Sequence, residues 1–172
     1  MKKMMLLLML VFSPAFLSAQ LDFMIGRSSY DILKDLVSSS PGKIVFMTSD
    51  SSVNIMSRYT SPLLDIEDYY IVTNNICIFS VKIYTVKTEL SASEKFVDKM
   101  ANDYKRNYWY DIVEEKKTKK YTIYSCARCN HDPEAKTVMG KIYSRERNCW
   151  QFVILSATGP WKIMYKTLLK PW

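Results

Sequence analysis

Two helix-start signatures lie 63 residues apart, Ser28-x-x-Asp31 and Ser91-x-x-Glu94, and a series of short strand-like segments follows each of them. In such a box the serine hydroxyl accepts a bond from an orphan backbone N–H, and the acid favours the positive end of the helix. After the first, Ile32, Leu33, Leu36 and Val37 recur at helical spacing, which predicts a helix over about 28–38 that Pro41-Gly42 closes. After the second, Phe96, Val97, Met100, Ala101 and Tyr104 form an apolar stripe opposite Lys95, Asp98, Lys99 and Asp103, on a helix of about 91–106.

Strands are expected at 43–48, 53–57, 68–73 and 76–86, then at 108–114, 119–126, 137–144 and 149–155. Asn74-Asn75 suits the positive dihedrals of a tight hairpin turn. Alternation puts Cys77, Phe79, Val81 and Ile83 on one face, with Ser80 and Lys82 on the other. Strands joined by short turns run antiparallel, so the expected class is α+β: an antiparallel sheet with two helices on one face. Its order is a tandem helix-plus-four-strand repeat, 26–88 and 89–156. The halves share no evident identity, so the repeat is one of shape.

Lys2 and Lys3 precede the apolar run Met4–Phe12, and the small residues Ser18 and Ala19 follow. This is the pattern of a secretory signal peptide, here 1–19, and the run is short of the roughly 20 apolar residues that span a bilayer. Export to a secreted or periplasmic location is expected, with 20–172 as one mature domain. That chain keeps 22 basic and 17 acidic residues, a net +5. Residues 20–90 hold 6 basic and 8 acidic, whereas 91–172 hold 16 and 9. Such a balance serves solubility or attracts an acidic surface.

The stretch Ile25-Gly26-Arg27-Ser28-x-x-Asp31-Ile32-Leu33, followed by strands, resembles the start of small envelope domains of the outer-membrane small protein A and β-lactamase-inhibitor-protein-like types. The Ala19-Gln20 junction is similar to those of Bacteroidetes secreted proteins. The resemblance covers about ten positions and topology beyond them. It implies a periplasmic or secreted binding or assembly module and transfers no functional residues.

Cys126-Ala127-Arg128-Cys129-Asn130-His131 is the most reactive segment. Haem attachment requires His directly after the second Cys, and Asn130 intervenes. A zinc set of Cys126, Cys129, His131 and Cys149 fails on distance, because a strand meander sets Cys149 roughly 20 Å from Cys126. A thiol-redox pair needs its first Cys at a helix N-terminus, where the dipole stabilises thiolate, and this pair leaves a strand. An oxidising compartment favours a structural disulfide of Cys126 with Cys129 or another Cys, with Cys77 a candidate free buried thiol. Four cysteines allow three full pairings.

Hydrolytic chemistry would rest on His131, the single His, and no Gly-x-Ser-x-Gly elbow occurs. Glu114 and Glu115 adjoin Lys116 and Lys117, which marks a solvated turn rather than an apolar pocket that raises an acid's pKa. Lys116, Lys117, Lys119 and Lys120 form a basic patch between strands bearing Tyr108, Trp109, Tyr110, Tyr121 and Tyr124. Stacking platforms for nucleic acid combine these types, but in an exported protein such aromatics are cross-strand or core partners, and no nucleic-acid ligand is expected. The segment 159–172 carries Lys162, Lys166 and Lys170 at four-residue spacing, with Trp161, Tyr165, Leu168 and Trp172 on another side. It either docks on its own domain or makes peripheral contact with an anionic envelope surface.

The expected function is a secreted or periplasmic, non-enzymatic protein-binding module without cofactor or metal, using a sheet face or strand-connecting loops. The alternatives are an inhibitor or immunity-type protein, and an envelope thiol-redox protein or enzyme centred on Cys126, Cys129 and His131.

Overall fold

The computed structural model describes residues 24–39, 42–49, 51–107, 112–126 and 135–158, together with Ile163 and Lys166. Residues 1–19, where a signal peptide is expected, Cys129, His131 and most of 159–172 lie outside them, as do Tyr108, Trp109 and Tyr110. The order is α1 (Ser29–Ser39), β1 (Lys43–Thr48), β2 (Ser52–Thr60), β3 (Leu64–Thr73), β4 (Ile76–Val86), α2 (Leu90–Asn107), β5 (Ile112–Lys117), β6 (Tyr121–Cys126), β7 (Ala135–Ser144) and β8 (Cys149–Thr158). The helix-plus-four-strand unit thus occurs twice. All eight strands form one antiparallel sheet in the order β1-β2-β3-β4-β8-β7-β6-β5. The two meanders meet where β4 pairs with β8, from Phe79↔Ala157 to Thr85↔Gln151.

Both helices lie on one face. Ile32 and Leu36 of α1 pack with Ile55, Tyr70, Val72 and Cys77. Val97, Met100, Ala101 and Tyr104 of α2 pack with Tyr84, Phe152 and Ile154. Tyr70 stands opposite Ser80, and Ser80, Lys82 and Tyr84 alternate along β4, so the two helices share a side. Apolar stripes at helical spacing require this, because each must be buried against a sheet face.

Ser28 caps α1 as expected: its Oγ accepts from the Asp31 N–H at 3.1 Å and donates to Asp31 Oδ2 at 2.7 Å. The second box does not form. Helix α2 begins at Leu90, the Glu89 carbonyl accepts from the N–H groups of Ala92 and Ser93, and Ser91 falls inside the first turn. Glu94 is drawn instead to Lys141 Nζ, 2.8 Å away, and the same ammonium reaches Asp98 at 2.8 Å and lies over the Trp150 ring. A half-buried cation on β7 holds that carboxylate through a charge-assisted bond in place of a local backbone one.

Asn74 and Asn75 have φ of 51° and 60°, which makes the β3–β4 connection the primed turn the sequence indicates. The alternation read along β4 needs correcting. A bulge between Ile71 and Val72 pairs Ile71 with Phe79 and Val72 with Cys77, leaving Ile78 without a direct partner. Cys77 therefore joins the helix-side core, while Phe79, Val81 and Ile83 belong to the opposite side. Gly26, at φ 85°, lets the Met24–Arg27 turn lie on this bulge, where Gly26 N–H donates to the Cys77 carbonyl and Cys77 N–H to that of Arg27.

Ser80 and Lys82, expected on a polar face, are buried instead, because their side of β4 is the side on which both helices pack. Between the two helix cores lies a polar row. Lys82 Nζ is 3.5 Å from Asp68 Oδ1, Ser57 Oγ donates to Asp68 Oδ2 at 3.1 Å, and Thr137 and Ser156 share a hydrogen bond of 2.8 Å. Among the described residues Ser80 Oγ is buried without a hydrogen-bond partner. Removing one member of a buried pair strands the other charge. Lys82→Met is expected to lower unfolding stability in urea by about 3–5 kcal/mol, and adding Asp68→Leu to restore most of it.

Candidate functional site

The face opposite the helices divides into two zones. Over β4, β8, β7 and β6, Val81, Ile83, Val153, Leu155, Val138 and Ile123 are buried almost completely. Over β1–β3 the face is open. Its cross-strand rows run Lys43–Arg58–Glu67, then Val45–Met56–Tyr69, then Met47–Asn54–Ile71. Val45 and Met47 are 42% and 56% exposed, and Met56 and Tyr69 are half-buried. An open groove of about 600 Å³ follows these rows, lined by Lys43, Val45, Met56, Arg58, Glu67 and Tyr69. Gly42 begins this edge. A Cβ there would stand 2.6 Å from the Arg58 carbonyl oxygen, so a side chain would push the start of β1 away from β2.

An ionic cluster closes one end of the groove. Arg147, on the β7–β8 turn, sends Nη2 to Glu67 at 3.2 Å and Nη1 to Thr85 Oγ1 at 3.1 Å, and Gln151 Nε2 donates to the same hydroxyl at 2.8 Å. Arg58 Nε is 3.3 Å from Glu67, and Lys87 Nζ is 2.6 Å from Asp65. Asn148, at φ 47°, turns the chain so that Arg147 points back under the sheet. A second cavity of about 590 Å³ adjoins this cluster and is lined by Arg58, Asp65, Thr85, Lys87, Arg147 and Cys149. The arrangement sets apolar surface beside fixed cations.

The titration-shifted groups are structural. Burial pushes the Cys77 thiol up to about 11, against a hydrogen bond to the Phe79 carbonyl that pulls it down. Burial raises Cys149 too, with Arg147 opposing, and burial followed by the charge of Asp68 raises Tyr70 well above its ordinary range. Burial lowers Lys141, but its hydrogen bonds to Asp98 and Glu94 outweigh that and raise it. Neither Cys77 nor Cys149 is poised as a thiolate.

Strand register decides what the cysteines can do together. Cys126 pairs with Thr137, Thr137 with Ser156, and Ser156 with Ser80, so Cys126 is level with Ser80 and three strands from it. At about 4.8 Å per strand that is roughly 14 Å, and Cys77 is farther still. Cys149 faces Ser144, seven residues along β7 from Thr137, or roughly 23 Å away. A disulfide needs Cα atoms within about 7 Å. Cys126 therefore bonds neither, Cys149 stands far from it, and Cys77 and Cys149 are free thiols. Cys129 and His131 are outside the described residues.

The basic patch is also relocated. Lys116 and Lys117 are the last residues of β5, an edge strand, rather than part of a turn, and with Lys119 and Lys120 they are exposed. The reason is that pairing with Ile123 and Thr122 of β6 extends the strand through them. Tyr121 and Tyr124 pack into cores on opposite faces and form no common stacking platform. Sequence reasoning missed Val45, Met47, Met56, Arg58, Glu67 and Arg147. Alternation within 43–47 was the available signal, but only knowledge that β1 is an edge makes it a surface. Compared with family models, with curated proteins and with solved structures, the chain matches none.

At neutral pH the Cys77 thiol is protonated in folded and unfolded chains alike; as pH rises through about 9 the unfolded chain ionises first, while the folded chain holds its proton to about 11. Stability is therefore expected to fall by about 2–3 kcal/mol from this group as pH climbs to about 11. Urea midpoints across that range should fall less steeply in Cys77→Val.

Proposed function

We propose that the chain is an exported, non-enzymatic protein-binding module that engages a protein partner through the helix-free face of β1–β3. The observation that carries this reading is the exposure of Val45 and Met47 beside Met56 and Tyr69, with Arg58 and Lys43 on the rim. Apolar anchors flanked by cations are the anatomy of a protein interface, where desolvated side chains supply affinity and rim charges supply orientation. The resemblance of residues 25–33 to envelope binding and assembly domains and the signal-like segment 1–19 support export.

Two further features fit a module working outside the reducing cytosol. A structural disulfide of Cys126, with Cys129 three residues on as its nearest partner in sequence, belongs to this reading, because an oxidising compartment favours such staples. The buried zone around Val81, Val153 and Leu155 has neither helix on its side, which favours docking of the segment 159–172 on its own domain over membrane contact. Deleting 160–172 is expected to lower the thermal midpoint by several degrees; an unchanged midpoint with lost binding to anionic vesicles would show membrane contact instead.

The binding reading is tested by crosslinked capture from the native envelope with the wild-type protein, Met56→Glu, and a helix-side control, Lys99→Glu. A partner held by the wild type and the control but lost by Met56→Glu supports it. Equal capture by all three would move the interface elsewhere.

A further inference from the structure

The two edges of the sheet are built differently. Strand β5 carries four charges in six residues, Glu114 to Lys117, and its pairing with β6 shifts register between Ile112 and Glu114. Charges and irregular pairing both discourage another chain from adding to an edge. Strand β1, Lys43–Thr48, has a single charge, at its first residue, no proline, and six consecutive regular pairs with β2. Among the described residues nothing pairs with its outer side. One edge is protected, and the other presents a straight row of backbone donors and acceptors.

The charges beside β1 are also unbalanced. Lys43 and Arg58 are direct cross-strand partners, a like-charge juxtaposition that destabilises a sheet. Glu67, the carboxylate in the same cross-strand row, already serves both Arg58 and Arg147. Lys43 has no ion-pair partner among the described residues. A carboxylate arriving at this end would relieve the repulsion, and an apolar side chain two residues away would meet Val45 on the same face.

Building on the protein-binding reading, we infer that β1 is a strand-addition site for an extended segment of the partner, with the pattern apolar-x-apolar-x-acid. Antiparallel addition, the pairing used throughout this sheet, sets the two apolar residues beside Met47 and Val45 and the acid beside Lys43 and Arg58. Main-chain bonds to β1 give affinity, and the groove over Met56 and Tyr69 reads alternate side chains.

The probe is a terminally blocked octapeptide, Ser-Thr-Val-Thr-Val-Thr-Glu-Ser, titrated into the purified isotope-labelled protein and followed by amide chemical shifts. Shifts confined to residues 43–48 and the facing β2 positions are expected. Lys43→Glu should weaken binding about tenfold, and replacing the peptide's Glu with Lys should restore it. N-methylation of one alternate set of peptide amides should abolish binding, while methylation of the other set leaves it. No binding, equal tolerance of both methylated sets, or shifts remote from β1 would overturn strand addition. A captured partner that is lost on Met56→Glu but indifferent to Lys43→Glu and to excess peptide would overturn it while leaving the binding module intact.

Discussion

The antiparallel pairing of β4 with β8 is the constraint on which the remaining architecture depends. Each four-stranded meander has one inner strand to offer, and joining them converts two small sheets into one with a shared interior. Along that seam both faces are buried: Val81, Ile83, Val153 and Leu155 on one side and Ser80, Tyr84, Phe152 and Ser156 on the other. The seam also explains the tolerance of polar groups in the middle of the helix side. Lys82 and Asp68 sit largely buried between two helix cores, where each charge has the other as its ion-pair partner.

Joining the meanders at their last strands leaves their first strands at the edges. Edge position, rather than composition, separates the exposed Val45 and Met47 from apolar residues of the same kind on β4 and β8. The same topology brings Arg147, from the turn before β8, beside Glu67 of β3 and so across the boundary between the two units. The ionic cluster is therefore a product of the junction, and neither half could assemble it alone.

Much of the fold was legible locally. Ser28 capped the helix it announced, Asn74-Asn75 made the expected turn, and the α2 stripe faced the sheet. These succeed because capping, positive dihedrals and helical periodicity act within a few residues. The failures share a cause at longer range. Ser91 lost its capping role because Glu94 is claimed by Lys141, 47 residues away. Cys77 changed faces because the extra residue Ile78, on the same strand, shifts alternation by one. Lys116 and Lys117 became strand residues because β6 pairs with them.

The sequence by itself determined the class, α+β with antiparallel pairing, and the helix-plus-four-strand order, since short turns and periodicity are encoded in neighbouring residues. It also limited metal and hydrolytic chemistry by holding one histidine in 172 residues. Only the tertiary structure decided that the meanders join at β4 and β8, that β1 is an open edge, and that Lys43, Arg58, Glu67 and Arg147 gather at one end of a groove. Those contacts span up to 80 residues and follow from strand order. Order is set by which faces can bury together, a property no local stretch of the chain contains.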